Sequence, residues 1–97
     1  MQLYTIRRRS AWSSPDELKA AAERSKRVSD EMAAEIRWIR SYVVAEADGK
    51  LGSVCVYQAT SEEPIRHHAA RAGFPADEIT RVADTVVARL DPEPALA

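Results

Sequence analysis

An Asp48-Gly49 pair lies near the middle of a 97-residue chain, between two segments that alternate in polarity. Ile36 to Glu46 runs ahead of it and Leu51 to Thr60 behind it. Asp-Gly tolerates the positive backbone angles of tight hairpin turns, so the two segments are predicted to pair as antiparallel strands. That central hairpin constrains the rest, because whatever flanks it must complete one sheet around it. Strand periodicity assigns Trp38, Arg40, Tyr42, Ser53, Cys55 and Tyr57 to one face, and Ile39, Val43, Val54 and Val56 to the other. The aliphatic face is expected to meet helices. The polar and aromatic face is expected to stay open and to carry any site.

The flanks repeat one pattern. Leu3 to Arg8 alternates Tyr4, Ile6 and Arg8 against Leu3, Thr5 and Arg7, which reads as a first strand. It ends in Arg7-Arg8-Arg9, read as a solvated strand end that opposes edge pairing in preference to an anion-binding lip at a cavity. Ser14-Pro15-Asp16-Glu17 is a helix start, with Ser14 as cap and Pro15 where no amide donor is needed. The helix is predicted from Pro15 to about Ala33, burying a thin stripe of Leu18, Ala21, Ala22, Ser25, Val28, Ser29 and Met32. Thr60-Ser61-Glu62-Glu63 starts a second helix that stops at Gly73, with His68 towards its buried side and His67 towards solvent. The β-branched stretch Ile79 to Val87 is predicted as a last strand.

Strand, helix, strand, strand, helix, strand is the α+β, ferredoxin-like βαββαβ order, with two helices on one face of a four-stranded antiparallel sheet. One domain over residues 1–90 is expected, followed by a two-proline tail, 91–97, that is frayed or disordered. An open face bearing Trp38, Tyr42 and Tyr57 calls for cover. A homodimer packed sheet to sheet, as an α/β barrel, would supply it and enclose a site.

Composition removes several function classes. Fourteen Lys and Arg against 15 Asp and Glu give a net charge of −1, without the basic field that nucleic acid requires. No apolar run approaches a membrane span, and the arginines near the N-terminus do not fit a secretory signal, so a cytoplasmic protein is expected. Cys55 is the single cysteine, which rules out an intrachain disulfide framework. There is no phosphate-cradling glycine loop and no paired carboxylate motif.

Nickel and related ions accept imidazole, thiolate and carboxylate donors, so His67, His68 and Cys55 are the metal-ligand candidates. Adjacent helical residues diverge by about 100°. One ion is therefore not chelated easily by both histidines. The bland alternatives are a hydrogen-bonded His68 bridging helix and sheet, and a small buried Cys55. A Cys55 nucleophile with His68 as base needs the two within hydrogen-bond reach.

Trp38-x-x-Ser41-Tyr42-Val43, Cys55-Val56-Tyr57, Glu63-x-Ile65-Arg66-x-His68-Ala69, Ala72-Gly73-Phe74-Pro75-Ala76 and Ile79-x-x-Val82 together resemble the small bacterial DUF4242 proteins. The resemblance spans about Leu3 to Val87. It implies a ferredoxin-like dimer of the α/β-barrel type and, through a nickel-binding Streptomyces member, binding of nickel or another divalent metal. The family commonly has histidine where this chain has Arg40, so one potential ligand is replaced by a permanent cation. The alternatives are a ligand pocket of Trp38, Arg40, Tyr42, Cys55 and Tyr57 for a small anionic ligand, or a structural dimer. A cofactor-free enzyme acting through Arg40, Tyr42, Tyr57 and His68 rests on fold analogy alone. A non-enzymatic homodimer is the preferred expectation, with neither nucleic acid nor membrane as partner.

Overall fold

The computed structural model describes residues 1–93. Strand β1 is Gln2–Trp12, helix α1 Pro15–Glu31, strands β2 and β3 Ile36–Ala45 and Leu51–Ala59, helix α2 Glu62–Ala72, and strand β4 Glu78–Arg81. The strands form one antiparallel sheet in the order β2-β3-β1-β4, the topology of the ferredoxin-like α+β fold. No helix among the described residues is long and apolar enough to cross a membrane.

Local chemistry sets the element ends. Ser14 Oγ accepts the Glu17 amide at 3.2 Å, while the Glu17 carboxylate reaches past the cap to the Ser13 amide at 3.3 Å. Ser61 caps α2 by position but makes no side-chain cap bond. Gly73 ends that helix at φ 81°, where its missing Cβ makes the left-handed turn cheap. In the hairpin turn the Asp48 carboxylate accepts the Lys50 amide at 2.9 Å.

Beneath the helices lie Tyr4, Ile6 and Arg8 of β1, Ile36 of β2, and Ser53, Cys55, Tyr57 and Ala59 of β3, closed over by Val28, Met32, Ile65 and Ala72. Here the face assignment from simple alternation is corrected. Trp38 pairs with Tyr57, but the next paired residue, Arg40, faces Val56, so Ile39 is an extra residue in β2. The bulge keeps Trp38 and Ser41 on the helix side and turns Arg40 and Tyr42 outwards. Val54 and Val56 point away from the helices and are half-buried, while Ile39 and Val43 are 45% and 54% exposed. The aliphatic residues expected in the core therefore lie outside it. The aromatic and polar residues of β3 take their place.

The last strand is also shorter than predicted. Only Glu78–Arg81 pairs with β1, and Val86, Val87 and Leu90 beyond it are exposed. This segment leads from β4 at one sheet edge to β2 at the other, where Asp91 accepts bonds from Arg40 at 2.7 Å and Tyr42 at 2.5 Å. The tail expected from residue 91 thus has its first residue tied to the sheet. Its residues 94–97 lie outside the described residues.

Candidate functional site

The three consecutive arginines of β1 meet three different fates. Arg7 and Arg9 point to the outer face. Arg7 Nη2 donates to both oxygens of Glu46, at 2.8 and 3.1 Å, and Arg9 binds Glu78 through two nitrogens, Nε and Nη2, one to each oxygen. Each guanidinium holds its partner carboxyl below the usual carboxylate range, and the Ser10 amide adds to the effect at Glu46. Arg8 turns inward and is 2% exposed. It takes part in no ion pair among the described residues.

Neutral groups hold Arg8 in place. Its Nε donates to the Pro75 carbonyl at 2.8 Å, its Nη1 to Cys55 Sγ at 3.3 Å, and its Cζ lies 5.0 Å from the centre of the Phe74 ring. Its Nη2 is buried and has no partner. A guanidinium keeps its charge at any physiological pH, so this is a permanent and uncompensated cation in the interior.

Arg8 lines a cavity of about 210 Å³ between α1 and the sheet. Trp12, Trp38, Tyr57 and Phe74 supply aromatic wall, and Leu18, Ala22 and Val43 aliphatic wall. Ser41, Ser53 and Cys55 share the polar end with Arg8. A directed chain of hydrogen bonds organises that end. Trp38 Nε1 donates to Ser41 Oγ at 2.8 Å, Ser41 to Cys55 Sγ at 3.0 Å, and the thiol to Ser53 Oγ at 3.3 Å. The Ser53 hydroxyl proton is left to donate elsewhere. Ser53 sits directly across from Arg8 in the β1–β3 register, so the two side chains share the inner face on neighbouring strands.

The pocket expected from sequence is therefore divided. Trp38, Cys55 and Tyr57 line the cavity, whereas Arg40 and Tyr42 sit on the outer face and bind Asp91. Arg8 replaces Arg40 as the cation of the site. The sequence did carry a signal for this exchange, since Arg8 falls in the same alternating file as Tyr4 and Ile6.

His68 is fully buried and His67 is exposed, as their helical positions imply. His68 Nε2 lies 3.1 Å from the Ser25 carbonyl and 3.3 Å from Ser25 Oγ, which also bonds the Tyr57 hydroxyl at 3.1 Å. A carbonyl only accepts, so Nε2 carries the proton and the lone pair resides on Nδ1. Nδ1 is buried without a partner. His68 consequently ties α2 to α1 and has no basic nitrogen facing Ser25. Burial pushes its pKa down, Arg8 and Arg71 add to that, and burial raises the Tyr57 phenol, so both are neutral.

A bound metal would need donors that converge. Among the described residues no three His, Cys, Asp or Glu side chains come together. His67 is on the surface, His68 has its protonated nitrogen bonded to Ser25, and Cys55 Sγ accepts bonds from Arg8 and Ser41 beside a fixed positive charge. This donor set does not fit a nickel ion.

Topology and site together define a small ferredoxin-like α+β protein with a cation at the polar end of a pocket between helix and sheet. Residues 4–82 match the family described as nickel responsive protein SCO4226-like, and the chain belongs to that family. Among solved structures it resembles the crystal structure of SCO4226 from Streptomyces coelicolor A3(2). The two share 21% identity and a TM-score of 0.69 over 87% of this chain and 99% of that one, a likeness of fold. No curated protein matches the chain.

Proposed function

We propose that this chain is a small-ligand-binding protein of the nickel responsive family, that its working site is the cavity at Arg8, and that its ligand is an anion. One observation carries the reading: a fully charged guanidinium is 2% exposed in a cavity wall with no carboxylate beside it and one buried donor unused. Leaving a buried charge unpaired is costly, and such costs concentrate where a ligand supplies the missing partner. An amide NMR titration with sodium acetate tests this. Perturbations centred on Arg8, Ser53 and Cys55 are expected, and an unchanged spectrum at high millimolar acetate overturns the reading.

The family description attaches nickel responsiveness to the group, and responding to nickel does not require an ion held by this chain's own side chains. The DUF4242 resemblance and a cytoplasmic setting belong to the same reading. So does homodimerisation through the outer face, where Ile39 and Tyr42 are nearly half exposed. Sedimentation at micromolar concentration tests the dimer, for which a dimer mass is expected and a monomer mass counts against it. Calorimetry with nickel is expected to show no tight site. A stoichiometric uptake that disappears in His68→Ala would restore the metal reading.

A further inference from the structure

The chemistry of the cavity narrows the anion further, and this step rests on the anion-binding reading above. Among the described residues one cation, Arg8, lines the cavity, and no carboxylate does. A single guanidinium balances one negative charge. A ligand with an ammonium group, such as an amino acid, would meet no acidic partner and would bring a second cation beside Arg8. A dicarboxylate would leave one charge facing apolar wall.

Geometry limits the charged group as well. Arg8 Nη2 and the Ser53 hydroxyl are two free donors on directly opposed residues of adjacent strands. A carboxylate offers one oxygen to each, as a charge-assisted bond from Arg8 and a neutral one from Ser53. The Phe74 ring already lies against the guanidinium carbon as a cation–π partner, and a hydrogen bond from Nη2 would run along the guanidinium plane.

The body of the ligand is set by what remains of the wall. Trp12, Trp38, Tyr57 and Phe74 are aromatic, Leu18, Ala22 and Val43 add hydrocarbon, and the Ser25 hydroxyl is already bonded to Tyr57. The volume of about 210 Å³ equals the liquid share of about seven waters. That is room for a single ring with a short acid arm. Flat rings pack well against indole and phenyl edges.

We propose that the cavity between α1 and the sheet binds an aromatic monocarboxylate, with its carboxylate on Arg8 Nη2 and Ser53 Oγ and its ring among Trp12, Trp38 and Tyr57. The ring displaces water from apolar wall. An arylcarboxylate therefore binds about 30-fold more tightly than acetate, the ratio expected from burying one phenyl group.

The test is a fluorescence titration of Trp12 and Trp38 in the full chain with benzoate, phenylacetate, acetate, phthalate, phenylalanine and benzylamine. Benzoate or phenylacetate should quench at the lowest concentration, acetate should bind weakly, and the last three should not bind. Arg8→Met should abolish the response. If that variant does not fold, Ser53→Ala serves in its place and should weaken benzoate by about three- to tenfold. Equal affinity for acetate and benzoate, or binding of phthalate or phenylalanine, overturns the aromatic monocarboxylate while leaving an anion site standing, and binding of benzylamine overturns both, because a cation cannot take the place of a carboxylate beside Arg8. Failure of every carboxylate overturns both. An unchanged benzoate affinity in Ser53→Ala overturns the assigned carboxylate position.

Discussion

The two faces of the sheet treat charge in opposite ways. On the outer face every arginine with a described contact to an acid is matched: Arg7 with Glu46, Arg9 with Glu78, and Arg40 with Asp91. On the inner face Arg8 is far more buried than any of these and has no acid at all. Burial raises the need for a counter-charge, so the pattern is the reverse of what stability alone would favour. The matched charges belong to the architecture of the folded chain. The unmatched one marks where something else is received.

The widest contrast arises where the faces are joined. Gly52 has no room for a Cβ, which would lie 2.5 Å from the Arg8 carbonyl and would also collide with a Glu46 carboxylate oxygen. Gly52→Ala is expected to lose about 3 kcal/mol in urea unfolding, through overpacking and a displaced ion pair. A loss under about 1 kcal/mol would show that the Arg7–Glu46 pair yields easily and does not brace the strand end.

Next in size is the inner polar network. Ser25→Ala removes the partner of the Tyr57 hydroxyl, while His68 Nε2 keeps the Ser25 carbonyl, and should cost about 1–2 kcal/mol as a buried hydroxyl loses its bond. Tyr57→Phe in the same background should recover part of that cost. No recovery would mean that water already satisfies the phenol.

The pH responses of the two faces share a sign and differ in window. His68 has a folded pKa below its unfolded value, so its stabilising effect is present above about pH 6.5 and is lost as pH falls through the folded pKa. Thermal unfolding should weaken on acidification from pH 7 to pH 5, by at most about 1.4 kcal/mol per pH unit for one proton. His68→Phe should flatten that slope, and an unchanged slope would place the responsible group elsewhere. Glu46 and Glu78 also lose stabilisation on acidification, because their folded values lie below the ordinary carboxylate value, and their window begins at the unfolded value of about 4.3. The smallest effect is at the rim. Asp91→Asn breaks an exposed pair with Arg40 and should leave the unfolding midpoint unresolved from wild type.

The fold was legible because its signals are local. Asp48-Gly49, Ser14 with Pro15, and Gly73 each act within a few residues, and helical spacing alone separated buried His68 from exposed His67. The faces were not legible, for two physical reasons. One inserted residue, Ile39, changes the alternation of β2, and nothing in its side chain announces a bulge. The second reason is that polarity was a poor guide to burial: Val54 and Val56 looked like core and Arg8 like a solvated strand end. The cavity reverses that ranking by accommodating a cation among aromatics. The alternation of Tyr4, Ile6 and Arg8 was the better guide. The tight β1–β3 pairing makes that file dependable from Gln2 to Arg8, ahead of the irregularity at Ser10.

The central claim is that Arg8 is retained for a ligand and not for stability. Urea unfolding of wild type and Arg8→Met, each with and without saturating benzoate, tests it most directly. Without ligand the variant should be at least as stable as wild type, because an unpaired buried charge has been replaced by a side chain of similar length. Benzoate should raise the wild-type midpoint and leave the variant unmoved. A variant destabilised by about 3 kcal/mol or more, together with a wild type that benzoate does not shift, would contradict the account and make Arg8 a structural residue.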